Sequence, residues 1–171
     1  MVEDVKVTIN LVLQFEDKFP MFDILLDGNV LYSSNNIEYL SNVQTFDFYQ
    51  TLSNGQHQID VKYKEVPEAM TNVEIAGIAF NDHWVRQDYL DTCSIFYTNS
   101  PTLFDGNTVT KIELYRHLGI TGTWQFKFST PLLTWRILES PHTIVKPQDD
   151  MKWATFVGNE IEFVDPPWKK T

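Results

Sequence analysis

The chain has 171 residues, enough for one domain and too few for two ordinary ones. Its 13 basic and 23 acidic side chains leave a formal charge of −10, which argues against a nucleic-acid binder held by phosphate neutralisation. A hydrophobic content of 43% excludes a disordered acidic tail, and the single cysteine, Cys93, excludes an internal disulfide.

Twelve Phe, seven Tyr and five Trp supply ring area for a β-rich core, with some rings left for an interface. The opening Met1-Val2-Glu3-Asp4 is acidic where a signal peptide needs a basic start. Apolar stretches such as Ile24-Leu25-Leu26 fall far short of the roughly 20 residues that span a bilayer. The expectation is a chain made and folded in the cytoplasm, with neither membrane nor nucleic acid as partner.

Period-two alternation dominates the pattern. Val7, Ile9, Leu11, Leu13 and Phe15 share one face of a long strand, and Thr8, Asn10 and Gln14 share the other. Phe22 to Leu26 runs through Asp27-Gly28-Asn29 into Val30-Leu31-Tyr32, a hairpin signal because both turn positions tolerate positive φ. A second hairpin is predicted at Asn54-Gly55, between the strand carrying Phe46 and Phe48 and the alternating run from His57 to Tyr63. Val73 to Phe80 reads as a strand with Gly77 as a bulge or a point of close packing.

Ser94 to Tyr97 and Val109 to Tyr115 read as strands separated by a loop holding Pro101 and Asp105-Gly106-Asn107. Trp124, Phe126 and Phe128 alternate with Gln125 and Lys127, which assigns the three rings to the core. Leu132 to Leu138 fits a strand or a short helix. Prolines at 141, 147, 166 and 167 bracket a final apolar stretch with a small hairpin at Gly158-Asn159. Short strands about ten residues apart predict an all-β fold, an antiparallel β-sandwich or jelly roll over residues 1–140. Residues 141–171 are expected to form an arm that packs on the sandwich or on a neighbouring subunit.

No nucleophile elbow, phosphate loop or dinucleotide fingerprint occurs, so no catalytic residue is assigned and the chain reads as a non-enzyme. His57 falls on the inward phase of its strand and reads as a hydrogen-bonded structural histidine. Asp82, Asp88 and Asp91 fall within ten residues, and clustered oxygen ligands are what calcium requires. A solvated acidic loop is the competing account. Trp84, Trp135, Trp153 and Trp168 are candidates for a sugar-stacking platform or a protein anchor, against ordinary core packing.

Two resemblances add to this. Met21 to Val30, Asn54 to Tyr63 and Val73 to Ile78 resemble the strand-turn-strand segments of small xylan-binding carbohydrate modules, over about residues 5 to 82. The resemblance implies a β-sandwich that binds sugar through a loop calcium, although Lys64-Glu65 stands where that family carries an Asn-Asp pair. Leu118 to Trp135 is similar to a segment of small structural proteins of tailed bacteriophages. That likeness implies a virion component, docked on a capsid or tail surface beside other virion proteins as a homo-oligomer or on a lattice. Trp153, Phe156 and Trp168 would then be its partner-binding anchors. The alternative is a carbohydrate-binding module for a host glycan, with Trp84 and Tyr89 as ligand-binding rings beside Asp82, Asp88 and Asp91 as calcium ligands.

Overall fold

The computed structural model describes residues 1–34, 41–64, 70–138, 153–157 and 160–164, with side chains described as far as Arg136. In chain order come β1 (Val2–Gln14), β2 (Met21–Leu26), β3 (Asn29–Ser33), β4 (Val43–Ser53), β5 (Gly55–Lys64), β6 (Asn72–Phe80) and β7 (His83–Trp84). Helix α1 (Gln87–Cys93) precedes β8 (Ile95–Phe104), β9 (Asn107–Glu113), β10 (His117–Leu118) and β11 (Gly122–Thr130). Helix α2 (Leu132–Leu138) and the strands β12 (Trp153–Val157) and β13 (Glu160–Val164) complete the described elements.

The front sheet has the order β10-β6-β1-β4, with β7 folded back on β6, and the back sheet has the order β3-β2-β5-β11-β8-β9. All pairings are antiparallel, so each strand offers alternate residues to the space between the sheets. Val5, Val7, Ile9, Leu11 and Leu13 of β1 all point inward and are buried, the face that the alternation predicts. They join Trp124, Phe126 and Phe128 of β11 in one core. Ring contacts bridge the sheets, Phe22 against Phe46 at 6.0 Å between centroids and Phe80 against Phe128 at 4.4 Å.

The Asp27-Gly28 hairpin forms as expected, with positive φ at both residues and β2 paired to β3. Asn54-Gly55 does not make a hairpin. β4 pairs with β1 in the front sheet, while β5 pairs with β2 and β11 in the back one. Gly55, at φ 141°, turns the chain from one layer to the other, and the Asn54 amide donates to the Met1 carbonyl. The partners of both strands lie far off in sequence, which a turn signal does not encode.

Two further segments differ from the sequence reading, and a third that it left open is decided. Strand β8 runs through Pro101, where the ladder with β9 breaks register between Tyr97 and Thr102 and so needs no proline donor. Leu132–Leu138 is a helix, and residues read as an acidic loop form α1 instead. Both helices are plugs: Tyr89 and Leu90 from α1 and Trp135 from α2 are buried, and Trp135 lies within 6.3 Å of Phe80, Tyr89, Phe126 and Phe128. In β6, Gly77 pairs with Asn10 and Ile75 with Leu11, so Ala76 is the extra residue of a bulge at the predicted place. No helix among the described residues is long and apolar enough to cross a membrane.

Candidate ligand-binding face

With the inner face of β1 filled by aliphatic side chains, its outer face carries Asp4, Lys6, Thr8 and Asn10. In an antiparallel ladder, directly opposed residues project on the same side. The β1–β4 register therefore sets Asp4 beside Thr51, Lys6 beside Tyr49, Thr8 beside Asp47 and Asn10 beside Thr45. Three of these rungs are closed by hydrogen bonds. The Thr51 hydroxyl donates to Asp4 at 2.6 Å, the Thr8 hydroxyl to Asp47 at 2.6 Å and the Thr45 hydroxyl to Asn10 at 2.8 Å. The fourth rung leaves the Tyr49 side chain outside, 73% exposed on the polar face of an edge strand.

On the other flank of β1, β6 sets small residues beside this part of the face, Gly77 opposite Asn10 and Ala79 opposite Thr8. Trp84 pairs with Ala79 across the tight β6–β7 turn, and its six-membered ring lies over Gly77. A Cβ on Gly77 would stand 3.1 Å from that ring, so glycine lets the indole settle against the sheet. Half of Trp84 remains exposed, at 53%. From Trp84 over β6 to Tyr49 on β4 is two strand spacings across and the Asn10-to-Lys6 distance along β1, roughly 10 by 14 Å.

The β6–β7 turn places the charge. Asn81 and Asp82 both hold positive φ, and Asn81 locks to Lys6 through two backbone-directed bonds: its side-chain oxygen accepts from the Lys6 amide and its own amide donates to the Lys6 carbonyl. Asp82 then meets the Lys6 ammonium at 2.7 Å, with Asp47 3.7 Å from the same nitrogen. The Asp82 hydrogen bond, aided by Asp47, holds the Lys6 pKa above its ordinary value. Asp4, Lys6, Tyr49, Gln50, Thr51, Asn81 and Asp82 line an open cleft of about 600 Å³ here.

The residues singled out from sequence scatter over this structure. Trp84 lies on the face. Tyr89 does not: it is 4% exposed, because α1 turns it inward against Phe126 and Trp135, and it is unavailable to a ligand. Trp135 is 2% exposed in the same cluster and is no platform. Asp82, Asp88 and Asp91 face three different bases, Lys6, Arg86 and Arg116, at 2.7, 2.7 and 2.6 Å. Each carboxylate is neutralised separately, so the three do not form a calcium cage, and the described residues hold no group of three or more metal-ligating side chains. Trp153 and Phe156 lie on β12, opposite Val164 and Ile161 of β13, at positions of opposite parity in the ladder. Trp168 lies outside the described residues.

His57 is buried as a structural residue. Its Nδ1 meets Asp27 at 2.7 Å, and its Nε2 meets the Ser53 carbonyl at 2.8 Å and the Thr130 hydroxyl at 3.2 Å. This row has the order acid–histidine–hydroxyl, but the Thr130 hydroxyl donates to Ser53 at 2.6 Å and is itself buried. It ties the β2–β3 turn, the β4–β5 corner and the end of β11 together.

Tyr49, Lys6 and Asp4 were missed from sequence. Tyr49 had a usable signal: it stands one residue out of phase with Phe46 and Phe48, an aromatic on the polar parity of its strand. Nothing local marks Asp4 and Lys6 as its neighbours.

The fold defines the class, an all-β protein built as an antiparallel sandwich with a polar, ring-bearing outer face. No family model and no curated protein matches the chain. Among solved structures it is similar to vCBM60 in complex with galactobiose, at 13% identity and a TM-score of 0.42, covering 71% of this chain and 96% of that one. It is also similar to a selenomethionine form of vCBM60, from work linking two families of calcium-dependent carbohydrate binding modules by circular permutation. That match has 12% identity and a TM-score of 0.45, covering 71% of this chain and 89% of the other.

Proposed function

We propose that the chain is a non-catalytic glycan-binding module whose ligand lies across the outer face of the front sheet. The observation that carries this is Trp84, an indole settled on Gly77 with about half its surface left open. A pyranose ring has an apolar face of C–H groups and an edge of hydroxyls. It stacks the one on an aromatic ring and offers the other to the Thr, Asn and Asp side chains of β1 and β4. Tyr49 supplies a second ring far enough away to demand an oligosaccharide. This mode draws no calcium ligands from Asp82, Asp88 and Asp91, which are each engaged by a base.

The test is calorimetric titration with a panel of oligosaccharides, on the wild-type chain and on Trp84→Ala. The reading expects binding that persists in chelator and falls with Trp84→Ala. Binding untouched by Trp84→Ala, or none to any glycan, overturns it.

The virion-component reading draws nothing from the fold; on it the chain would dock through Trp153 and Phe156 of β12, a strand paired with β13. Light scattering distinguishes it. A trimer or larger species that dissociates on Trp153→Ala or Phe156→Ala supports docking through the arm, and an assembly unchanged by both substitutions counts against it.

A further inference from the structure

The cleft at the Tyr49 end of the face has a charge that selects among glycans. Asp4 and Asp82 line it with Lys6 as the only base among the described residues, and Asp47 stands 3.7 Å from the Lys6 ammonium as a third carboxylate. The positive charge of Lys6 is already engaged, by Asp82 at 2.7 Å. Asp4 accepts a hydrogen bond from the Thr51 hydroxyl, and among the described residues it has no base within salt-bridge distance. Beside it Tyr49 offers an open ring.

We infer that this cleft is a subsite for a sugar bearing a primary ammonium, a 2-amino-2-deoxy pyranose. Such a ring stacks on Tyr49 and sets its ammonium against Asp4. The inference rests on the glycan reading above and narrows it to one substrate class. A uronic acid is disfavoured here, since its carboxylate would meet Asp4, Asp47 and Asp82 with no free base among the described residues to receive it. An N-acetylated sugar keeps the ring and loses the charge. Charge-assisted hydrogen bonds outweigh neutral ones of the same geometry, and like charges brought together oppose binding.

The experiment titrates the full chain with three oligosaccharides of equal length: glucosamine oligomers, their N-acetylated counterparts and oligogalacturonates. The glucosamine series is measured where its amines are protonated and again at a higher pH where they are neutral. The expected result is glucosamine binding about fivefold tighter than the N-acetylated series, the size of one partly exposed charge contact. That margin disappears when the amines are neutral and shrinks in high salt. Asp4→Asn, which retains an oxygen for the Thr51 hydroxyl, removes the margin. Asp105→Asn, on the distant β8–β9 turn, keeps it.

Equal binding of the charged and N-acetylated series, or tighter binding of oligogalacturonates, overturns the inference and leaves the glycan reading in place. No binding by any of the three, with none in the wider glycan panel, removes both.

Discussion

The two faces of β1 divide the labour of the molecule. Val5, Val7, Ile9, Leu11 and Leu13 on the inner face are buried, while Asp4, Lys6, Thr8 and Asn10 on the outer face make hydrogen bonds and ion pairs. One side is held by the removal of apolar area from water, worth about 25 cal/mol per Å². The other is held by exposed polar contacts that each add little to stability. A site placed on the second face changes freely without disturbing the first. Substitutions should therefore separate into those that move stability and those that move binding.

The largest effect belongs to the core. Trp124→Ala empties a fully buried position between the sheets, and a loss of about 3–5 kcal/mol in denaturant unfolding is expected. An effect under 1 kcal/mol would mean that the sheets do not pack as described. Gly122→Ala should also lower stability, because a Cβ there collides with the Tyr97 carbonyl and the Phe96 ring. The measured quantity is Tm, and an unchanged value would refute that close approach.

Trp84→Ala should do the reverse of Trp124→Ala. Stability is expected to fall by about 1 kcal/mol, since half of the indole lies against the sheet, while glycan affinity drops by about 2 kcal/mol, the scale of a binding hot spot. Tyr49→Ala sharpens the contrast on the far side of β1, with a smaller loss of affinity by titration and no change in Tm. If either ring variant unfolds the protein, the two faces are not independent.

The smallest effect concerns the back sheet. Asp60 on β5 is nearly buried on the outer side of its strand, and burial raises its pKa above the ordinary 3.8, offset in part by the Gln58 hydrogen bond. A carboxyl with a raised folded pKa contributes stability at low pH that is lost as pH rises through the folded value. Asp60→Asn keeps an acceptor for Gln58 and never charges. It should raise Tm at neutral pH and match the wild type below about pH 3.8. A thermal melt series across pH measures this, and a lower Tm at neutral pH would contradict the sign.

What is legible in this sequence depends on distance along the chain. The alternation of β1 was legible because each side chain's face follows from its own parity. The Asp27-Gly28 hairpin was legible because four adjacent residues decide it. Asn54-Gly55 has the same chemistry and the opposite outcome, since a turn reverses the chain without choosing which sheet each arm joins. Tyr89 was misjudged, and Trp135 was left open between platform and core, for a related reason. Helices of seven residues give too little periodicity to show that they plug the core.

Composition and parity alone determined an acidic all-β chain and a core built on Trp124, Phe126 and Phe128, and left Trp84, Trp135, Trp153 and Trp168 as equal candidates for stacking or anchoring. Only the tertiary structure decided that Trp84 and Tyr49 share a face, that Asp4 and Lys6 border the Tyr49 cleft, and that the three loop aspartates part company. Strand order makes these neighbourhoods, bringing β6 and β4 to opposite edges of β1 from far along the chain. Parity is a local property of the backbone. Adjacency in a sheet is settled by the global competition among strands for partners, and no short window of sequence contains it.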